Sequence, residues 1–113
     1  METQLVIPHS EAPSTITQLL DALRKVHFEP HHESKTWGDW IYLYGFRTVI
    51  SLECVNGVSH AATIEHGENE DEGEPLVSIL HAFAKLGWHG IDENGEYPLV
   101  YKTTKVTRRM IGH

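Results

Sequence analysis

Nine of the 113 residues are histidine, the side chain that titrates between about pH 5 and 8 and a common metal ligand. They are His9, His27, His31, His32, His60, His66, His81, His89 and His113. Their spacing does not build a metal site. On one extended strand His60 and His66 share a face, but at about 3.3 Å per residue they stand roughly 20 Å apart. His31 and His32 point to opposite faces when extended, and His31 falls in with Glu33 instead. Neither an HExxH pair nor a paired-cysteine spacing occurs. The acidic run Gly67-Glu68-Asn69-Glu70-Asp71-Glu72-Gly73-Glu74 echoes a calcium loop in its alternate carboxylates. A calcium loop opens on Asp and closes its twelfth position with a bidentate Glu; here those places hold Glu68 and Ile79. The sequence predicts no metal and no cofactor.

The other chemistry within reach is nucleophilic. If Glu53 lies opposite His60 across a hairpin, the carboxylate orients the imidazole, and Ser51 sits diagonally about 7 Å from His60. Nucleophile, base and orienter types then share a face, as acyl transfer requires. That separation exceeds hydrogen-bond reach, however, and a flat sheet face supplies no oxyanion donors. Cys54 falls on the opposite, apolar face of the same strand, where a thiol behaves as a small hydrophobe. Gly87-Trp88-His89-Gly90 follows a helix rather than preceding one, the wrong side for a phosphate-cradling turn. No catalytic residue is assigned, and the chain reads as a non-enzyme.

The elements that place these residues follow from hydrophobic period and turn chemistry. Gln4-Leu5-Val6-Ile7 is a short β-prone run ended by Pro8, which suits an edge strand. Thr15 and Gln18 have the spacing of a capping box. Behind them Ile16, Leu19, Leu20, Leu23 and Val26 form one apolar helical stripe. Pro30 forbids continuation, so this helix ends near His27. Trp37 to Tyr44, Thr48 to Val55 and Val58 to His66 are alternating or β-branched-rich strands. Asn56-Gly57 is the signature of a type I′ hairpin, and Gly45-Phe46 suits a two-residue II′ turn. Leu76, Ile79, Leu80, Phe83 and Leu86 make a second amphipathic helix, with Pro75 at its first position, Gly87 as its stop and Trp88 packing back. The predicted fold is α+β: an antiparallel β-sheet, a three-stranded meander plus the short N-terminal strand, with two amphipathic helices packed on one face. Residues 1–98 are a single domain, and residues 99–113 a basic C-terminal segment, either an extra strand or a flexible tail.

With two residues in each turn the pairing is fixed. Cys54 lies opposite Ser59, Glu53 opposite His60, Leu52 opposite Ala61 and Val49 opposite Ile64. Across the first turn Tyr42 meets Val49, Ile41 meets Ile50 and Trp40 meets Ser51. One face collects Ile41, Leu43, Ile50, Leu52, Cys54 and Ala61 and is assigned to the helices. The other presents Trp40, Tyr42, Tyr44, Val49, Glu53, His60 and Ile64, an aromatic surface with no element assigned to cover it. Such a patch marks an interface, and these seven are the candidate partner-binding residues.

Charge narrows the partner. Sixteen acids against nine Lys and Arg give a net charge of −7. Every acid lies before residue 98, whereas Lys102, Lys105, Arg108 and Arg109 follow it with no acid among them. An acidic body repels phosphate, which excludes a general nucleic-acid or anionic-membrane binder. No apolar run approaches the ~20 residues of a membrane span, and the first residues lack the basic and apolar regions of a secretory signal. A lone cysteine forms no internal disulfide, so the expected compartment is the cytoplasm. The sequence thus predicts a small acidic, non-enzymatic protein-binding or adaptor module, similar in size and charge to secretion chaperones and immunity proteins. It is expected to be homodimeric through the aromatic sheet face; the alternative is a small-ligand or metal-binding protein.

Overall fold

The computed structural model describes residues 2–65 and 73–99. Their elements run β1 (Glu2–Val6), β2 (Ser14–Thr15), α1 (Ile16–Lys25), β3 (Pro30–Lys35), β4 (Gly38–Leu43), β5 (Val49–Val55), β6 (Val58–Glu65), α2 (Gly73–Lys85), β7 (His89–Asp92) and β8 (Gly95–Pro98). The class is α+β, an antiparallel sheet of eight strands with two helices. The strand order is β3-β4-β5-β6-β1-β7-β8, and β2 pairs with β6 off that path.

The sheet is wider than the sequence predicts. β1 is no edge strand: it lies between β6 and β7, pairing Leu5 with both Ala62 and Gly90. The second neighbour comes from the hairpin β7–β8, whose turn is shaped by the Asp92 carboxylate accepting the Asn94 amide N–H at 2.8 Å. On the other side β3 folds back on β4 around Thr36-Trp37, pairing Lys35 with Gly38. The basic segment assigned to 99–113 lies outside the described residues except for Leu99, which is buried at 7% exposure.

Both helices end alike. At α1 the Phe28 N–H reaches the Leu23 carbonyl at 3.1 Å and His27 N–H the Arg24 carbonyl at 3.0 Å. At α2 Trp88 bonds Phe83 at 3.2 Å and Gly87 bonds Ala84 at 3.0 Å. This paired ending requires a left-handed residue in the middle. Gly87 (φ 91) adopts it freely, whereas His27 (φ 74) does so with a side chain. The residue after each turns back into the core, where Trp88 meets Phe83 edge-on at 5.1 Å. The start of α1 is the expected capping box, with Thr15 and Gln18 exchanging bonds of 3.1 and 2.8 Å.

The two central hairpins differ. Asn56 (φ 55) and Gly57 (φ 82) form the type I′ turn. At the other, Gly45 (φ 86) is the second central residue of a turn closed by Phe46 N–H to the Leu43 carbonyl at 3.0 Å. That is type II geometry and not II′, yet the pairs Tyr42–Val49, Ile41–Ile50 and Trp40–Ser51 stand as expected. The register of β5 with β6 departs from expectation. Cys54 pairs with Ser59, but Glu53 then pairs with Ala61 and Leu52 with Ala62. His60 is the extra residue of a β-bulge. The buried Ser59 hydroxyl plugs it, with the Glu53 and Ala61 carbonyls at 2.9 and 3.0 Å as acceptors. The His60 carbonyl accepts the Ile7 N–H at 3.0 Å from the end of β1.

This one residue flips the rest of β6. Ala62 and Ile64 point inward and Ala61 and Thr63 outward, the reverse of the regular register. The inward residues Leu5, Ile41, Leu43, Ile50, Leu52, Ala62 and Ile64 share one core cluster with Leu19 and Leu23 of α1 and Ile79, Leu80, Ala82 and Phe83 of α2. The indole N–H of Trp88 donates to the Ser14 hydroxyl at 2.9 Å inside that core.

Candidate interaction face

Cross-strand pairing lays the outward residues in rows. One row runs His31, Tyr42, Val49, Glu65, Glu2; the next runs Glu33, Trp40, Ser51, Thr63, Gln4, Ile91, Glu96; a third holds Glu53, Ala61, Val6, His89 and Pro98. Aromatic and aliphatic groups are therefore interspersed with Ser51, Thr63, Gln4, Glu65 and His89, while Glu2, Glu33, Glu53 and Glu96 stand at row ends. Trp40, Tyr42, Val49, Ala61, Val6 and Ile91 are each only half-buried. At the β3–β4 tip Trp37 is 76% exposed and meets Trp40 edge-on at 6.1 Å, while the Lys35 ammonium stands 5.7 Å over the Trp40 ring. His31 faces Glu33 at 3.4 Å and His89 faces Glu96 at 3.3 Å.

Of the seven candidate residues, Trp40, Tyr42, Val49 and Glu53 lie together on this face. Tyr44 is 80% exposed but belongs to the turn after β4. His60 is exposed at the bulge, where it borders a cleft with Ile7, Pro8, His9, Glu11 and Pro13. Ile64 is a correction: it is fully buried at 0% exposure, because the bulge turns it into the core. The expected Glu53–His60 pair does not form, since Glu53 faces Ala61, and the Ser51–His60–Glu53 grouping disappears with it.

A polar cluster that the sequence did not reveal lies on the inward side at the end of β3, β4 and β5. His32 Nε2 is 2.8 Å from Asp39 Oδ1, and the Cys54 thiol lies near the same carboxylate. The His32 bond holds the Asp39 carboxyl below its usual range, against a smaller opposing effect of burial. Burial, reinforced by the neighbouring carboxylate, pushes the Cys54 thiol up to about 11. The thiol therefore stays protonated at neutral pH. The cluster ties edge strand β3 to β4. Its signal was the seven-residue separation of His32 and Asp39 around Thr36-Trp37, a pair without turn propensity.

Among the described residues no group of three or more His, Cys, Asp or Glu side chains could hold a metal ion. The cleft between the helices, about 290 Å³, is lined by Gln18, Asp21, Ala22, Lys25, Val26, Lys85 and Leu86 and gathers none of the candidates. No described helix is long and apolar enough to cross a membrane. Compared with protein-family models, with curated proteins and with solved structures, the chain matches none of them.

Proposed function

We propose that the protein is a non-enzymatic partner-binding module that associates with a second copy of itself through the outward sheet face. In this reading both helices pack on the inward face of the central meander β4–β5–β6, and the outward face is left as a surface to be covered. One observation carries the reading. Trp40 and Tyr42 sit inside β4 with a strand on either side, where large aromatics are ordinarily buried, and they are only half-buried. Large rings left partly open on a sheet face, among polar neighbours, mark a surface for contact. The rigid rings of Trp and Tyr suit the hot-spot role because burying them immobilises few rotatable bonds.

The test is molar mass by light scattering over a wide concentration range. Wild type should move from 12.8 kDa toward twice that value. Tyr42→Glu should stay monomeric with an unchanged far-ultraviolet circular dichroism spectrum. A wild-type protein that remains monomeric at the highest concentration reached would sink the reading.

A further inference from the structure

Among the described strand residues, the outward positions carry Glu2, Glu33, Glu53, Glu65 and Glu96 against Lys35, a net of −4 with the histidines neutral. Glu2 stands directly opposite Glu65, an unfavourable like-charge pair. Among the described residues, Glu2, Glu53 and Glu65 have no cationic partner. Two such faces brought together repel, so an interface between copies needs a basic component from outside the face. The chain supplies one. Residues 100–113 hold Lys102, Lys105, Arg108 and Arg109 and no acid, a net of +4, interspersed with Val100, Tyr101, Val106, Met110 and Ile111.

We propose that the two copies exchange these segments, residues 100–113 of each lying along the outward glutamates of the other. This rests on the reading of the outward face as a self-association surface. The segment follows β8, at one border of the sheet, and its start is anchored by the buried Leu99. Fourteen residues reach up to about 46 Å when extended. Stacked sheets lie about 10 Å apart, and the six strand spacings between β8 and β3 amount to roughly 29 Å. Every glutamate of the opposing face is therefore within range. The charges match one for one, −4 on the face and +4 on the segment. Exchange also explains how a sheet face with five carboxylates serves as an interface at all: the half-buried Trp40, Tyr42 and Val49 meet the other copy, and the segments neutralise the carboxylates.

A charge swap in the full-length chain decides it, read by sedimentation equilibrium at low and high salt. The first variant carries Lys102→Glu, Lys105→Glu, Arg108→Glu and Arg109→Glu; the second carries Glu2→Lys, Glu53→Lys and Glu65→Lys. Each alone should dimerise roughly tenfold or more weakly than wild type. An equimolar mixture should form a heterodimer of near wild-type affinity, because each segment then meets a face of opposite sign. Wild-type association should weaken as salt shortens the Debye length from about 30 Å at 0.01 M to about 8 Å at 0.15 M, and that of the first variant should strengthen. A mixture no tighter than its components overturns the exchange. So does a first variant that dimerises more tightly than wild type, the signature of a segment lying on its own face. A first variant indistinguishable from wild type removes the exchange and leaves the face reading intact. A wild type that is monomeric throughout removes both.

Discussion

Strand β5 carries two chemistries on one backbone. Its inward residues Ile50 and Leu52 are buried in the core, while the alternate Val49 and Ser51 are half-buried and Glu53 is exposed. β4 repeats the contrast, with Ile41 and Leu43 sealed and Trp40 and Tyr42 partly open. The inward side is aliphatic and branched, and its residues share one core cluster with residues of both helices. The outward side has the larger rings and the charges. Size and hydrophobicity alone would have sent Trp40 and Tyr42 inward, yet alternation bound them to the face opposite Ile41. The inward face is specified by the core it fills, and the outward face is not bound by that requirement.

The contrast implies a graded series of substitutions. The largest effect should come from Ile64→Ala, which empties a fully buried site and should cost about 2–5 kcal/mol by urea unfolding. An effect below about 1 kcal/mol would return Ile64 to the outward face and abolish the bulge. Ser59→Ala should come next, at about 1–3 kcal/mol, because it leaves bulge carbonyls without their shared hydroxyl donor. An unchanged midpoint would mean that the bulge holds without the plug.

Asp39→Asn should cost about 1 kcal/mol near neutrality, through the weakened tie to His32. Its pH dependence has a definite sign. The folded carboxyl titrates below the ordinary value, so its contribution is complete above that value, near 3.9, and is lost as pH falls through the lower folded one. The stability gap between wild type and Asp39→Asn should close on acidification; a gap that widened would contradict the assigned bond. Smallest is Val49→Ala, expected below about 1 kcal/mol in the monomer, since its site is already half-solvated. A cost equal to that of Ile64→Ala would erase the distinction between the faces.

Much of this was legible in the residues. Thr15 and Gln18 marked the start of α1, Asn56-Gly57 fixed the hairpin, and the apolar stripes located both helices, because each rests on contacts within a few residues. The pairing of β4 with β5 was also legible, although the turn type at Gly45 was not. What escaped depended on distant partners. A bulge at His60 has no local mark: Ser59 plugs it only because the Glu53 carbonyl across the hairpin accepts its proton. β1 became an inner strand only because His89–Asp92, some eighty residues later, returned to pair with it. Of the candidate face, Trp40, Tyr42, Val49 and Glu53 were found by alternation. Val6, Ala61 and Ile91 were missed, two because their strands' positions were not foreseen and one because the bulge reversed it.

The central claim is that copies of the chain meet through the outward face. It is tested most directly by intermolecular nuclear Overhauser effects in a concentrated mixture of isotopically labelled and unlabelled wild-type protein. Contacts from the Trp40 and Tyr42 rings of one copy to Val49, Ala61 or Val6 of another are the expected result. Trp88, sealed behind the sheet, should give none. Intermolecular contacts confined to the backbone of edge strand β3 or to the helices, or none at all in a sample that stays at 12.8 kDa, would contradict the account.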